Sequence, residues 1–178
     1  MHSPIRIPRP SPSEYPESYE DYVASIPGDD VGPELLSQMV EADRLLGGLS
    51  EGRALYRYAA GKWSVKEVVG HLCDSERVFA YRALRFGRGD PTPLSNFDEN
   101  LYAQTGRFDA RSMADLLDEL RVTRSATLAL FGSFDEQAMQ GSGVARGNRV
   151  SARALAWVTA GHMRHHFAVL RDRYGLVG

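Results

Sequence analysis

The sequence holds five histidines, His2, His71, His162, His165 and His166, and one cysteine, Cys73. Three of the histidines fall within Gly161-His162-Met163-Arg164-His165-His166. His162 and His166 are four residues apart. On an α-helix that spacing leaves them about 40° apart in angle and one turn apart in rise, so both imidazoles can reach one metal ion. The paired histidines of metalloprotease helices use the same geometry, with a Glu after the first His as general base. Met163 occupies that position here, which disfavours protease chemistry. His165 is an alternative second ligand, about 60° from His162 around the helix. The apolar stripe Leu155, Val158, His162, His166, Val169 favours His166 and puts His165 at its edge, facing substrate or orienting a ligand.

Two imidazoles make a weak site, and the third is expected from another helix. His71, in the apolar run Val68-Val69-Gly70-His71-Leu72, is the candidate. Bundles build such sites from inward side chains on facing helices. Three His ligands leave coordination positions open for water or substrate, the pattern of a catalytic rather than a closed structural site. Gly70 and Gly161, each directly before a histidine, would let backbones approach closely. Glu67 and Asp74 lie within about 60° of the His71 face, where either could orient the ring through its other nitrogen. The plainer alternative is that these are hydrogen-bonded core histidines and solvated helix charges. Cys73 is about 200° from His71 and reads as a buried structural thiol. His2 reads as a bystander. Trp63, Tyr102, Trp157 and Arg164 have the size or charge to shape a pocket, although two tryptophans in the core and an arginine on the surface would be ordinary.

These residues need helices to hold them. After Pro27-Gly28, the apolar positions Leu35, Leu36, Met39, Val40, Leu45 and Leu46 predict a helix over 31–49, ended by Gly47-Gly48. Residues 50–62 read as a connector. Ser64, with Glu67 three residues on, forms a capping box for a helix that runs to about Phe86. Gly87, Gly89, Pro91 and Pro93 stop it. The stretch 94–106 reads as a loop with one helical turn around 98–103. Asp109 or Ser112 opens a third long helix that Gly132 closes. Gln140 to Asn148 is Gly-rich and polar and reads as a loop. Ser151 caps the last helix, ending at Tyr174-Gly175. Four long helices without convincing strand alternation imply an all-α bundle. The connection after the second helix exceeds twenty residues, long enough for a crossover or a loop over the site. Pro4, Pro8, Pro10, Pro12 and Pro16 mark residues 1–28 as a Pro-rich arm, either extended over a surface or a disordered tail. Residues 29–178 then form one bundle domain.

Lys62-Trp63-Ser64-Val65-Lys66-Glu67-Val68-Val69-Gly70-His71-Leu72 resembles the second-helix signature of DinB-like four-helix-bundle proteins, a group that includes the YfiT-type metal-dependent hydrolases. (These are the damage-inducible bundle proteins, not the polymerase of the same name.) Phe97-Asp98-Glu99-Asn100 is similar to that family's motif after the crossover. The run from Gly161 to His166, with Arg173-Tyr174, is similar to its last helix. The resemblance spans residues 20–175. It implies an up-down-down-up bundle and a divalent metal, zinc or nickel, held by His71, His162 and His166. It also implies either of two chemistries: S-transfer from a low-molecular-weight thiol cosubstrate to a small electrophile in detoxification, or hydrolysis by a metal-activated water. A non-enzymatic stress-response binding protein is the remaining alternative.

Composition narrows the setting. In 178 residues, 21 basic and 23 acidic side chains leave a net charge of −2, without the basic footprint of a nucleic-acid binder. No apolar run is long enough to span a membrane. Met1 to Ser18 carry no apolar core of a secretory signal. One cysteine excludes an internal disulfide and suits a reducing cytoplasm. The expected partner is a small-molecule substrate, with no nucleic acid and no membrane. The apolar helix faces and the arm also fit a homodimer.

Overall fold

The computed structural model describes residues 5–177; His2 lies outside the described residues. Four long helices dominate it: α2 (Gly32–Leu46), α4 (Val65–Gly87), α6 (Met113–Gly132) and α8 (Ala152–Asp172). Shorter helices α1 (Glu20–Ser25), α3 (Glu51–Ala54), α5 (Glu99–Thr105) and α7 (Glu136–Gln140) lie between or before them. Ser64, Ser112 and Ser151 cap α4, α6 and α8, each accepting the backbone N–H of the residue three positions on.

Side-chain pairings give the helix directions. Arg164 and Arg171 of α8 meet Glu34 and Glu41 of α2, so these two helices run parallel. Trp63, just before α4, meets Tyr174, just after α8, and His71 of α4 meets His166 of α8, so this pair is antiparallel. Cys73 touches Leu116 and Arg77 pairs with Glu119, so α4 and α6 are parallel. The topology is up-down-down-up, with α2 and α4 on one diagonal and α6 and α8 on the other. Parallel neighbours cannot be joined by a tight turn. That is why the chain between α4 and α6 is long and folds α5 along the way.

Where a polar loop is expected over 140–148, the chain forms a hairpin of β1 (Ser142–Ala145) and β2 (Asn148–Ser151). Its turn residues Arg146 and Gly147 both have positive φ, 54° and 79°. The two-residue turn that joins strands with the native twist demands this. The Leu94 N–H donates to the Val144 carbonyl at 2.8 Å and the Arg146 N–H to the Leu94 carbonyl at 3.2 Å, so the hairpin anchors the crossover. Glycine and short length hid the alternation, and pairing with a distant segment supplied the missing stability.

The N-terminal segment lies against the bundle. Ile7 is completely buried, and its N–H donates to Asp30 Oδ1 at 2.8 Å. Arg9 stacks over Trp157 at 4.3 Å and donates to the carbonyls of Val23, Ile26 and Gly28. Helix α1 packs on α8.

Buried apolar residues fall into two clusters. Each long helix contributes to both and carries buried polar residues between its two contributions: Gln38 on α2, Ser75 and Glu76 on α4, Thr123, Arg124 and Thr127 on α6, His162 on α8. A polar layer therefore cuts across the bundle. At its centre Arg124 donates to Glu76 Oε1 at 2.7 Å and Oε2 at 2.9 Å, and to the Leu35 carbonyl at 2.7 Å. Gln38 continues it, accepting from Arg124 and donating to the Ala160 carbonyl at 2.8 Å. One guanidinium thus touches all four helices, reaching α8 both at the Met163 sulfur, 3.4 Å away, and through Gln38.

Candidate metal centre

At one side of this layer α4 and α8 bring three histidines together. The capping box sets the start of α4: Glu67 N–H donates to Ser64 Oγ at 3.0 Å, and Ser64 N–H to Glu67 Oε2 at 2.8 Å. His71 follows two turns later, on the face towards α8. His162 and His166 occupy successive turns of α8. His71 Nε2 lies 3.1 Å from His162 Nε2, and His166 Nε2 lies 3.2 Å from the same atom. One donor atom from each ring lies within 4.8 Å of the others.

These residues fit a divalent cation. Ligand atoms 2.0–2.1 Å from a tetrahedral metal are about 3.3 Å apart, close to both separations. His162 Nε2 has a single proton or lone pair and can satisfy only one of its two neighbours by hydrogen bonding. A cation between the rings satisfies all three. Burial also keeps protons off them, pushing His71 down to about 4, His166 down to about 3 and His162 well below the usual imidazole value. Neutral imidazole is the form that ligates.

Ser75, one turn after His71, places its hydroxyl 3.4 Å from both nitrogens of that ring and braces it from the side. The residues expected to orient the ring are Glu67 and Asp74. Neither reaches His71. The Glu67 carboxylate is occupied by Ser64 and Arg57, and Asp74 pairs with Arg77 at 3.5 Å. Ring contacts fix the rest: Trp63 stands 4.7 Å from His71, and Tyr22 and Phe79 stand edge-on to His162 at 5.6 and 5.5 Å. Tyr22 comes from the N-terminal segment, which sequence reading did not connect to the site. Gly161 allows it: a Cβ there would sit 2.2 Å from the Tyr22 carbonyl oxygen. Gly70 instead makes room for the Phe108 side chain, whose ring atoms a Cβ would meet at 2.3 Å.

His165 stays outside the cluster. It is exposed, with its ring 5.2 Å from His166, and lines a groove of about 320 Å³ with Tyr58, Lys62, Trp63, Asn100 and His166. The groove opens directly on the triad at His166. Cys73 is buried in the apolar cluster below the polar layer, with its thiol pushed up to about 12 by burial, so it is no nucleophile. Trp157 is core, Arg164 pairs with Glu34 on the surface, and Tyr102 is exposed against Phe97.

The sequence matches the family model of the DinB superfamily over residues 38–170. No curated protein matches it significantly. Among solved structures the chain is similar to YfiT from Bacillus subtilis, described as "a probable metal-dependent hydrolase with an unusual four-helix bundle topology", with a TM-score of 0.74, 17% identity and 94% of each chain covered. At that identity the likeness is one of fold.

Proposed function

The chain belongs to the DinB superfamily, and we propose that it is a metal-dependent enzyme in which His71, His162 and His166 hold a divalent cation, zinc or nickel. The observation that carries this reading is the convergence of three Nε2 atoms at 3.1 and 3.2 Å at the edge of an open groove. A cation there would lower the pKa of a thiol or water beside it and so supply a nucleophile at neutral pH.

The chain's own residues divide the remaining work. Ser75 and Trp63 fix the His71 ring. Tyr58, Trp63 and Tyr174 give the groove aromatic walls suited to a small, partly apolar electrophile, while Lys62 and Asn100 add polar contacts at its mouth. Among the described residues no carboxylate lines this groove. A thiol cosubstrate ionised by the cation needs no such base, which supports S-transfer from a low-molecular-weight thiol. Hydrolysis is the second reading. It is favoured by His165, which lines the groove 5.2 Å from His166 and can relay a proton, and by the description of YfiT. A single buried cysteine supports a cytoplasmic setting, and the groove volume supports a small-molecule substrate.

The test begins with elemental analysis of untagged protein. The metal-loaded form is then assayed with a chromogenic haloarene plus a panel of low-molecular-weight thiols, and with an activated ester. Thiol-dependent turnover lost in His162→Ala supports the first reading. Thiol-independent ester cleavage supports the second. Protein that takes up no divalent metal rules out both.

A further inference from the structure

Arg82 is 2% exposed, yet no carboxylate among the described residues pairs with it. Its Nη2 donates to the Ser95 carbonyl at 3.3 Å, and its Nη1 has no partner. The other deeply buried cations differ. Arg124 has both oxygens of Glu76, and Lys66 has Glu51. A guanidinium stays protonated in proteins, so Arg82 cannot escape an unpaired charge by neutralising. Such a group is costly unless an anion joins it.

Its position ties it to the metal centre. Arg82 lies eleven residues after His71 on α4, three turns on and within about 20° of the same face. Helical side chains lean towards the N-terminus, and the arginine, being longer than the imidazole, reaches further in that direction, towards His71. Phe79, one turn before Arg82, holds its ring 5.5 Å from that of His162. Around the guanidinium stand Phe97, with its ring centroid 5.9 Å away, and the Tyr19 hydroxyl, a neutral hydrogen-bonding neighbour that leaves the charge without a carboxylate. Arg146 adds a second, exposed positive charge nearby. Tyr19 belongs to the N-terminal segment and Phe97 to the crossover, and these two segments must part for a ligand to enter.

We infer that Arg82 anchors a carboxylate of the small molecule acted on at His71, His162 and His166. The inference rests on the function proposed above. The anion takes the unpaired Nη1 and the Tyr19 hydroxyl, and the reacting end lies past Phe79, towards His162. A carboxylate is favoured over a phosphate because one buried unpaired cation is neutralised by one negative charge.

Thermal unfolding of the full chain tests it, as purified and after chelation, in succinate, phosphate or chloride at matched ionic strength. Chelation removes any cation to which an anion could bind instead. Succinate should raise Tm saturably by about 3 °C in both forms. Arg82→Met should abolish that rise and unfold no earlier than wild type in chloride, because it removes an unpaired buried charge. Arg82→Lys keeps the charge without the planar fork and should lose most of the rise, which decides the matter if Arg82→Met folds poorly. No rise in wild type, a rise that survives in Arg82→Met, or a response to phosphate alone overturns the inference. Metal uptake without succinate binding leaves the proposed function standing and removes the anchor. Succinate binding by a protein that takes up no metal removes the link between anchor and metal centre.

Discussion

His162 is the pivot of the candidate site, since its Nε2 faces both other rings. His162→Ala should therefore lower zinc affinity by more than about 100-fold, beyond the 10–100-fold range typical of residues that only orient ligands. Ser75→Ala should fall within that range, and His165→Ala should leave affinity and stoichiometry unchanged; titration calorimetry on chelated protein separates the three. The same rings set a pH dependence. Their folded pKa values lie below the unfolded value of about 6.5, so the unfolded chain binds more protons between the two. Stability is full above about pH 6.5 and is lost as pH falls towards 4, at about 1.4 kcal/mol per histidine per pH unit. Chelated wild type should thus unfold more easily in urea at pH 5 than at pH 7. His71→Gln should flatten that slope by about one histidine's share; an unchanged slope would show that its burial does not govern its titration.

At the level of elements, the four long helices are joined by a polar layer as well as by apolar packing. Arg124 and Glu76 are almost wholly buried, at 1% and 3% side-chain exposure. Removing one partner leaves the other charge unpaired, so Arg124→Met should cost about 3–5 kcal/mol. The double variant Arg124→Met/Glu76→Leu should recover much of that loss in urea unfolding, and failure to recover would mean that the hydrogen bonds to Leu35 and Gln38 dominate. The contact of α1 with α8 has its own check. Gly161→Ala forces a Cβ towards the Tyr22 carbonyl, at a cost of about 1–3 kcal/mol. It should loosen the N-terminal segment, seen as faster proteolysis within residues 5–28 and altered emission from Trp157, which Arg9 covers.

For the whole molecule, the metal should add stability without creating it. Apolar clusters on both sides of the polar layer supply a core in which the histidines take no part. A cation at one hundred times its Kd contributes about 2.7 kcal/mol, or roughly 5–10 °C in Tm for a domain of this size. Chelation should lower Tm by that amount and leave a cooperative transition in calorimetry. Collapse of the fold on chelation would mark the site as structural and weaken the enzymatic reading. Among the described residues no helix is long and apolar enough to cross a membrane, in keeping with a net charge spread over 44 charged side chains.

The long helices, their serine caps and the four-residue spacing of His162 and His166 are legible in the sequence, because capping and the 3.6-residue period are local. His71 was legible as a third partner because few histidines were available and the surrounding motif resembles a family. Tertiary structure alone decided the rest. The choice of His166 over His165 depends on how α8 is rotated against α4. The hairpin over 142–151 depends on Leu94, some fifty residues away. Ser75 in place of Glu67 or Asp74, Tyr22 from the N-terminal segment, the Arg124–Glu76 layer and the unpaired Arg82 all arise from contacts between distant segments. Residue type announces that a charge exists, but only the packing of other elements around it determines whether it meets water, a partner or neither.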